Sequence, residues 1–308
     1  MNWGAIFSGI FAVIVILLLV VYWMLPYNEI EFSQNEVFDS NFSYVFDNSS
    51  LNGSVKQFYE NMRYPKKEIS YRIYECPLQK KNDLENAFRI ISNLTVLDFY
   101  PAEIDEDIYA TCDSENRIEE GLFIAGEGGP TKIIKTKNFN VILRGEILIL
   151  RESKCPRPNV ALHEIFHALG FNHSQNPGNI MYHTSNCNQE IGNDMIDFID
   201  EIYSVQELPD LVLENSSASM IGRYLDLNFT ILNNGLAKIE GFSLIIYADD
   251  KEIKKLEYDS LDIGYGISST LTNIFVAKIS VNEISLVIES DSDELDKNNN
   301  EIKLEIKK

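Results

Sequence analysis

Residues 163–173 constrain the fold more than any other part of the 308-residue chain, because they read HEIFHALGFNH. On a helix, His163 and His167 lie one turn apart on the same face, so their two imidazoles can reach a single ion. Gly170 permits the positive φ that ends such a helix and turns the chain. His173 can then return as a third ligand. The sequence therefore predicts a helix, a tight turn and a metal site within these residues.

Three neutral imidazoles favour zinc, which accepts nitrogen ligands and lowers the pKa of bound water to about 7. Glu164 lies on the adjoining helix face, where its carboxylate could act on such water without binding the ion. All four histidines of the chain fall between residues 163 and 183. Glu190 is a rival third ligand, but the spacing within the motif favours His173. His183 is interpreted as a histidine that lies behind the ligands or on the surface and does not bind the ion. The alternative is a chance HExxH motif on an amphipathic helix, with ordinary half-buried histidines.

The motif HExxHxxGxxH resembles the extended zinc signature of the metzincin metalloproteases. Ser174, Pro177 and the sequence NIMY at 179–182 are similar to the matrixin version of the stretch that leads to the Met-turn. The resemblance implies a catalytic zinc ion and a peptidase activity. It assigns roles to five residues: the zinc ligands His163, His167 and His173, the catalytic base and acid Glu164, and the Met-turn residue Met181.

The order of elements over residues 66–206 also resembles a matrixin catalytic domain: strand, helix, several strands, zinc helix, Met-turn and closing helix. It implies an α+β domain with a mixed twisted sheet. The stretch GLFIAGEGGP at 121–130 is our candidate for the sheet edge along which an extended peptide docks. His183 replaces the proline that usually follows Met-Tyr in matrixins, and no cysteine-switch motif or family calcium loop is recognisable.

The four cysteines all lie in this domain, and an even number outside the cell favours disulfides. Three connectivities are open. We favour Cys76 with Cys112, which would join two candidate strands, and Cys155 with Cys187, which would flank the zinc helix and the Met-turn. The alternative is four free buried thiols.

The N-terminus carries an uncharged run of 21 residues at 5–25, long enough as a helix to cross a hydrocarbon core of about 30 Å. It predicts a transmembrane signal anchor at 1–25 and a stalk or spacer at 26–65. A cleaved signal peptide is disfavoured, because no basic residue precedes the run and no small-residue cleavage site follows it. The acidic flank and the cysteines favour an outward-facing body, with an intracellular-facing protease as the alternative.

Residues 207–308 consist of short β-rich runs separated by turn signals. They resemble the CARDB-type, immunoglobulin-like modules in the stretches PDLVL, FTILNNG and ESDSDELDKNNNEIKLEI. The resemblance implies a seven-strand sandwich that could bind surface proteins or glycans. Four acidic residues of this module could bind calcium, although a solvated hairpin loop is the favoured interpretation. They are Asp291, Asp293, Glu294 and Asp296.

The chain is strongly acidic, with 26 Lys and Arg against 47 Asp and Glu and a net charge of −21. This charge argues against nucleic acid as a partner. The sequence as a whole predicts a membrane-anchored, extracellular-facing zinc endopeptidase that acts on proteins or peptides. The alternative is a non-catalytic cell-surface adhesion protein with a metzincin-like domain, which an intact Glu164 disfavours.

Overall fold

The computed structural model describes residues 3–24, 29–34, 56–115, 117–119, 122–278 and 280–307. The buried apolar side chains of these residues form two cores. One is built from residues 62–205 together with Leu236. The other is built from Phe32 and residues 211–304.

Two elements precede the first core, the helix α1 (Trp3–Met24) and the strand β1 (Glu29–Ser33). The sequence predicts a membrane-spanning anchor at 1–25, which needs about 20 consecutive apolar residues. Within α1, side chains are described only at Phe7 and at residues 9–19. Over the described part of the chain, no helix combines the length and hydropathy required to cross a membrane. The anchor therefore gains no support from the structure.

The first core lies between a sheet and three helices. The strands are β2 (Met62–Arg63), β3 (Glu68–Tyr74), β4 (Asp98–Pro101), β5 (Ile108–Cys112), β6 (Ile118–Glu119), β7 (Leu122–Phe123), β8 (Gly126–Lys135) and β9 (Asn140–Ile149). The helices are α2 (Leu78–Leu94), α3 (Asn159–Ala168) and α4 (Asn193–Ile202).

The main sheet has the order β2-β9-β5-β3-β4, all parallel, and β8 pairs antiparallel with β9. The short strands β6 and β7 form a separate hairpin. Helix α2 buries Leu84, Phe88 and Ile91 at helical spacing against this sheet, and Phe88 stacks on Tyr71. The predicted α+β architecture with a mixed sheet is confirmed.

The fully buried Arg63 joins the two ends of this unit. Its guanidinium donates hydrogen bonds to the carbonyl oxygens of Ile202, the last residue of α4, at 2.7 Å and of Val205, just beyond it, at 3.2 Å. It also lies over the ring of Tyr203 at 4.3 Å, which adds a cation–π contact. The helix α4 is thereby held against β2.

The second core belongs to a β-sandwich. Its further strands are β10 (Leu211–Ile221), β11 (Tyr224–Asn233), β12 (Ile239–Ala248), β13 (Lys251–Leu261), β14 (Gly266–Phe275), β15 (Glu283–Ser290) and β16 (Glu301–Ile306). Neighbouring strands are antiparallel in the order β13-β12-β15-β16-β1-β10-β11-β14. Alternate residues of β11 are buried, as expected for strands with one face on the core. The predicted sandwich is confirmed.

Strand β1 differs from the sequence-based expectation, which assigns residues 26–65 to a stalk. It lies between β10 and β16, with Phe32 paired to both Ala218 and Ile306. Phe32 is 2% exposed and belongs to the second core. The physical reason is the alternation of acidic and apolar residues in EIEFS, which suits a half-buried strand. The described sandwich therefore has eight strands rather than seven, and residues 35–55 of the expected stalk lie outside the description.

Candidate metal centre

Helix α3 presents His163 and His167 on one face and ends at a glycine turn. Gly170 has a φ of +97°, and a Cβ added there would lie 2.9 Å from the Cβ of Met62. Glycine is therefore needed for both the backbone conformation and the close approach. The turn brings His173 back beside the helix.

The three imidazoles converge. The Nε2 atom of His167 lies 3.0 Å from Nε2 of His163 and 3.2 Å from Nε2 of His173. In the described chain, these residues form the one group of at least three His, Cys, Asp or Glu side chains whose ligand atoms lie within 4.8 Å of one another. Neither Glu190 nor His183 belongs to this group, and both side chains are exposed.

The hydrogen bonds of the rings fix which nitrogen faces the centre. Nδ1 of His163 lies 2.7 Å from the carbonyl oxygen of Ile180. Nδ1 of His167 lies at the same distance from the carbonyl oxygen of Phe171. A carbonyl can only accept, so each Nδ1 carries the proton and each Nε2 presents a lone pair. Lone pairs this close repel unless a cation lies between them. Tetrahedral zinc at about 2.0–2.1 Å from each nitrogen separates its ligands by about 3.4 Å, so the donor set fits zinc.

Burial keeps these histidines neutral. It lowers the pKa of His163 to about 4 and that of His167 to about 3, and it also lowers the pKa of His173. Repulsion between the imidazolium forms acts in the same direction, with His183 the neighbour that affects His173. Metal ligation requires neutral imidazole, so the protein offers the correct protonation state over a wide pH range.

Glu164 lies against the edge strand β8 and is only 5% exposed. A Cβ at Gly126 would meet Cγ of Glu164 at 2.7 Å, and a Cβ at Gly128 would meet its backbone oxygen at 2.3 Å. Burial, with the charge of Glu127 as a smaller cause, raises the pKa of Glu164 to about 8. A bound cation would oppose this shift. Burial therefore stabilises the protonated form of Glu164, and a cation held by the histidines would stabilise the carboxylate.

Met181, the expected Met-turn residue, is fully buried. Its backbone oxygen accepts from the N–H of Ser174 and its N–H donates to Oδ1 of Asn179, both at 2.8 Å. The preceding carbonyl, of Ile180, is the one that orients His163. This segment therefore orients His163, the first candidate ligand, through its backbone.

Two disulfides flank the site, Cys76–Cys112 and Cys155–Cys187. They are the two pairs favoured by the sequence analysis, and no described cysteine is free. The second bond joins the segment before α3 to the loop that follows Met181.

The sequence analysis missed two polar residues that shape this loop. The buried Gln189 donates to the oxygen of Thr184 at 2.8 Å and accepts from the N–H of Asn186 at 2.9 Å. The buried Asn159 donates to the oxygen of Asn186 at 2.7 Å. Neither residue belongs to a recognised motif. Asn159 donates to a backbone group 27 residues away, and the hydrogen bonds of Gln189 within its own loop have no sequence signature.

Residues 63–204 match the family model described as Matrixin, and residues 208–304 match the CARDB model. The crystal structure of the CARDB domain of the Pyrococcus furiosus PF1109 protein, in complex with di-metal ions, is 16% identical and covers 32% of this chain and 88% of its own, with a TM-score of 0.28.

The structure of Myroilysin is 12% identical and covers 47% of this chain and 83% of its own, with a TM-score of 0.31. No curated protein matches the chain. The family models, rather than these distant structures, support the assignment. The chain therefore combines a domain of the matrixin family with a CARDB domain.

Proposed function

We propose that this protein is a zinc-dependent endopeptidase. The observation that carries the proposal is the convergence of three imidazole Nε2 atoms on a helix that also carries the buried Glu164, the residue next to His163. His163, His167 and His173 would hold the ion. When bound, zinc would polarise a water molecule and the carbonyl group of the peptide bond.

Glu164 would move the protons of the reaction. Its carboxylate accepts a proton from the attacking water, and burial favours the protonated form that results. The same carboxyl then donates this proton to the nitrogen of the leaving amine. One residue thus serves first as base and then as acid.

The outer edge of β8 supports binding of an extended substrate. Among the described strands, β8 pairs only with β9, so its other edge is available for main-chain hydrogen bonds. Gly126 and Gly128 let this edge lie directly against Glu164. Pro130 has no N–H to donate and suits an edge position. Backbone pairing would accept many sequences, which fits protein and peptide substrates in general.

We further propose that the protein works outside the cytoplasm, because two disulfides persist only under oxidising conditions. Attachment to a membrane through residues 1–25, and binding of surface proteins or glycans by residues 207–308, stay predictions of the sequence. Membrane attachment would be tested by fractionating cells that express the chain with and without residues 1–25 and measuring how much of each protein sediments with the membranes.

The test is peptide cleavage by the purified full chain, with zinc measured by mass spectrometry. We expect one zinc ion per chain and cleavage of a quenched peptide library that stops after chelation. Glu164→Gln should retain zinc and lose about 10²–10⁴-fold in kcat, the usual contribution of a general base. The matched control is Glu190→Gln, an exposed side chain outside the histidine group, which should stay within a few-fold of the parent.

Equal cleavage by Glu164→Gln and the parent would reject the catalytic assignment. Stoichiometric zinc without cleavage of any peptide in the library would instead support the non-catalytic adhesion protein.

A further inference from the structure

Residues 56–58, here named the strap, run alongside the turn that follows helix α3. The N–H of Phe58 donates to the carbonyl oxygen of Gly170 at 2.8 Å. In the opposite direction, the N–H of Asn172 donates to the carbonyl oxygen of Lys56 at 2.6 Å. The strap and the turn therefore pair in the antiparallel sense, although they are far apart in the sequence.

The strap is held in place by one of its own side chains. The amide group of Gln57 donates to the carbonyl oxygen of Met62 at 2.6 Å and accepts from the N–H of the same residue at 2.8 Å. Met62 is fully buried in the first core, and its side chain occupies the space that a Cβ at Gly170 would need. These contacts fix the backbone of the strap without using the side chain of Phe58.

The ring of Phe58 stacks on the imidazole of His167. The two ring centroids are 5.7 Å apart and the ring planes are inclined by 25°, which is an offset-stacked arrangement. His167 is the central ligand candidate, because its Nε2 lies within 3.2 Å of Nε2 of both other histidines. Its Nδ1 is bonded to the carbonyl oxygen of Phe171. Outside the triad, a hydrogen bond and a stacked ring therefore hold this imidazole.

We propose that Phe58 is a positioning residue for the metal centre, whose ring keeps Nε2 of His167 directed at the other two histidines and shields one face of the imidazole from water. Removing a group that orients a metal ligand typically weakens metal binding about 10–100-fold. This role depends on the proposed zinc site but not on peptide cleavage, because zinc binding can be measured directly. Phe58 is 38% exposed, so a substitution there leaves no buried cavity.

The position of the strap differs from the expectation drawn from the sequence. Residues 26–65 are assigned there to a stalk, whereas the strap lies beside the metal centre. The Matrixin match begins at residue 63, so the contact between Phe58 and His167 lies outside the part of the chain that the family model covers. Support for the metal centre therefore comes also from a segment that the family resemblance does not describe.

The experiment measures the zinc Kd of the full chain by competition with a chromogenic chelator. The Kd should rise about 10–100-fold in Phe58→Ala, while Phe58→Tyr, which retains the aromatic ring, should stay within a few-fold of the parent. The matched control is Tyr59→Ala, because this neighbouring aromatic side chain is 59% exposed, and its Kd should also stay within a few-fold. If Phe58→Ala fails to fold, Phe58→Leu removes the ring with a smaller loss of volume and should show the same weakening.

Three results would overturn the positioning role. Equal Kd values for Phe58→Ala and Tyr59→Ala, with one zinc ion bound to the parent, would exclude the role and leave the proposed zinc site intact. Equal weakening in Phe58→Ala and Phe58→Tyr would exclude stacking as the cause, because only one of these variants has lost the ring. A parent that binds no zinc would refute the proposed function and the positioning role with it.

Discussion

Replacing Gly126 by alanine should damage catalysis without removing the metal. The new Cβ would lie 2.7 Å from Cγ and 2.8 Å from Oε1 of Glu164, about 0.7 Å inside the 3.4 Å at which ordinary contact begins. Either the carboxylate or strand β8 has to move by that amount. A displacement approaching 1 Å at a reacting group costs on the order of 10²-fold in rate.

The assay compares kcat, zinc content and Tm for Gly126→Ala and Gly129→Ala. A Cβ at Gly129 meets nothing within 4 Å, so it controls for a methyl group on the same strand. We expect kcat to fall about 30–100-fold in Gly126→Ala, with one zinc ion retained, and to stay within a few-fold of the parent in Gly129→Ala. If Gly126→Ala cleaves peptides as fast as Gly129→Ala, the close contact between β8 and Glu164 has no role in catalysis.

Three further predictions concern the metal, acid and the sandwich. His167→Ala should lose zinc because its Nε2 is central to the triad, whereas His183→Ala should keep it, and equal zinc contents would contradict the ligand assignment. As the pH falls from about 6.5 towards 4, the metal-free parent should lose more stability than metal-free His167→Ala, because unfolded histidines bind protons there while His163 and His167 stay neutral. The raised pKa of Glu164 acts in the opposite direction in both proteins, so the comparison isolates the histidine contribution; urea unfolding measures it, and equal pH profiles would refute it. Phe32→Ala should cost about 3–5 kcal/mol of unfolding free energy in the sandwich, as for other buried aromatic residues, and a loss no larger than that of Ser33→Ala would show that β1 is dispensable.

The candidate metal centre was predictable because its geometry is local. Residues 163–173 span one helix and one turn, so the spacing of the histidines and Gly170 determines where the imidazoles point. The matrixin and CARDB resemblances are likewise carried by short stretches, and both family models match.

The parts that escaped prediction depend on contacts between distant segments. Nothing in the sequence of residues 29–33 shows that they pair with a strand near residue 220. The closeness of Gly126 to Glu164 arises from the packing of a strand on a helix. Asp210 reads as an ordinary linker residue in the sequence, yet Nδ2 of the distant Asn299 donates to its carboxylate at 2.9 Å. Such partners are fixed by tertiary packing, which periodicity along the chain does not encode.

The position of β1 has a consequence for biosynthesis. Since β1 pairs with β10 and β16, the matrixin-family domain is an insertion within the sandwich rather than its N-terminal neighbour. During synthesis the whole inserted domain leaves the ribosome before either β10 or β16 has been made. The backbone N–H and C=O groups at both edges of β1 therefore stay unpaired until those strands emerge. Folding of the protein should therefore end with closure of the sheet, and a chain without residues 1–55 would lack the strand between β10 and β16.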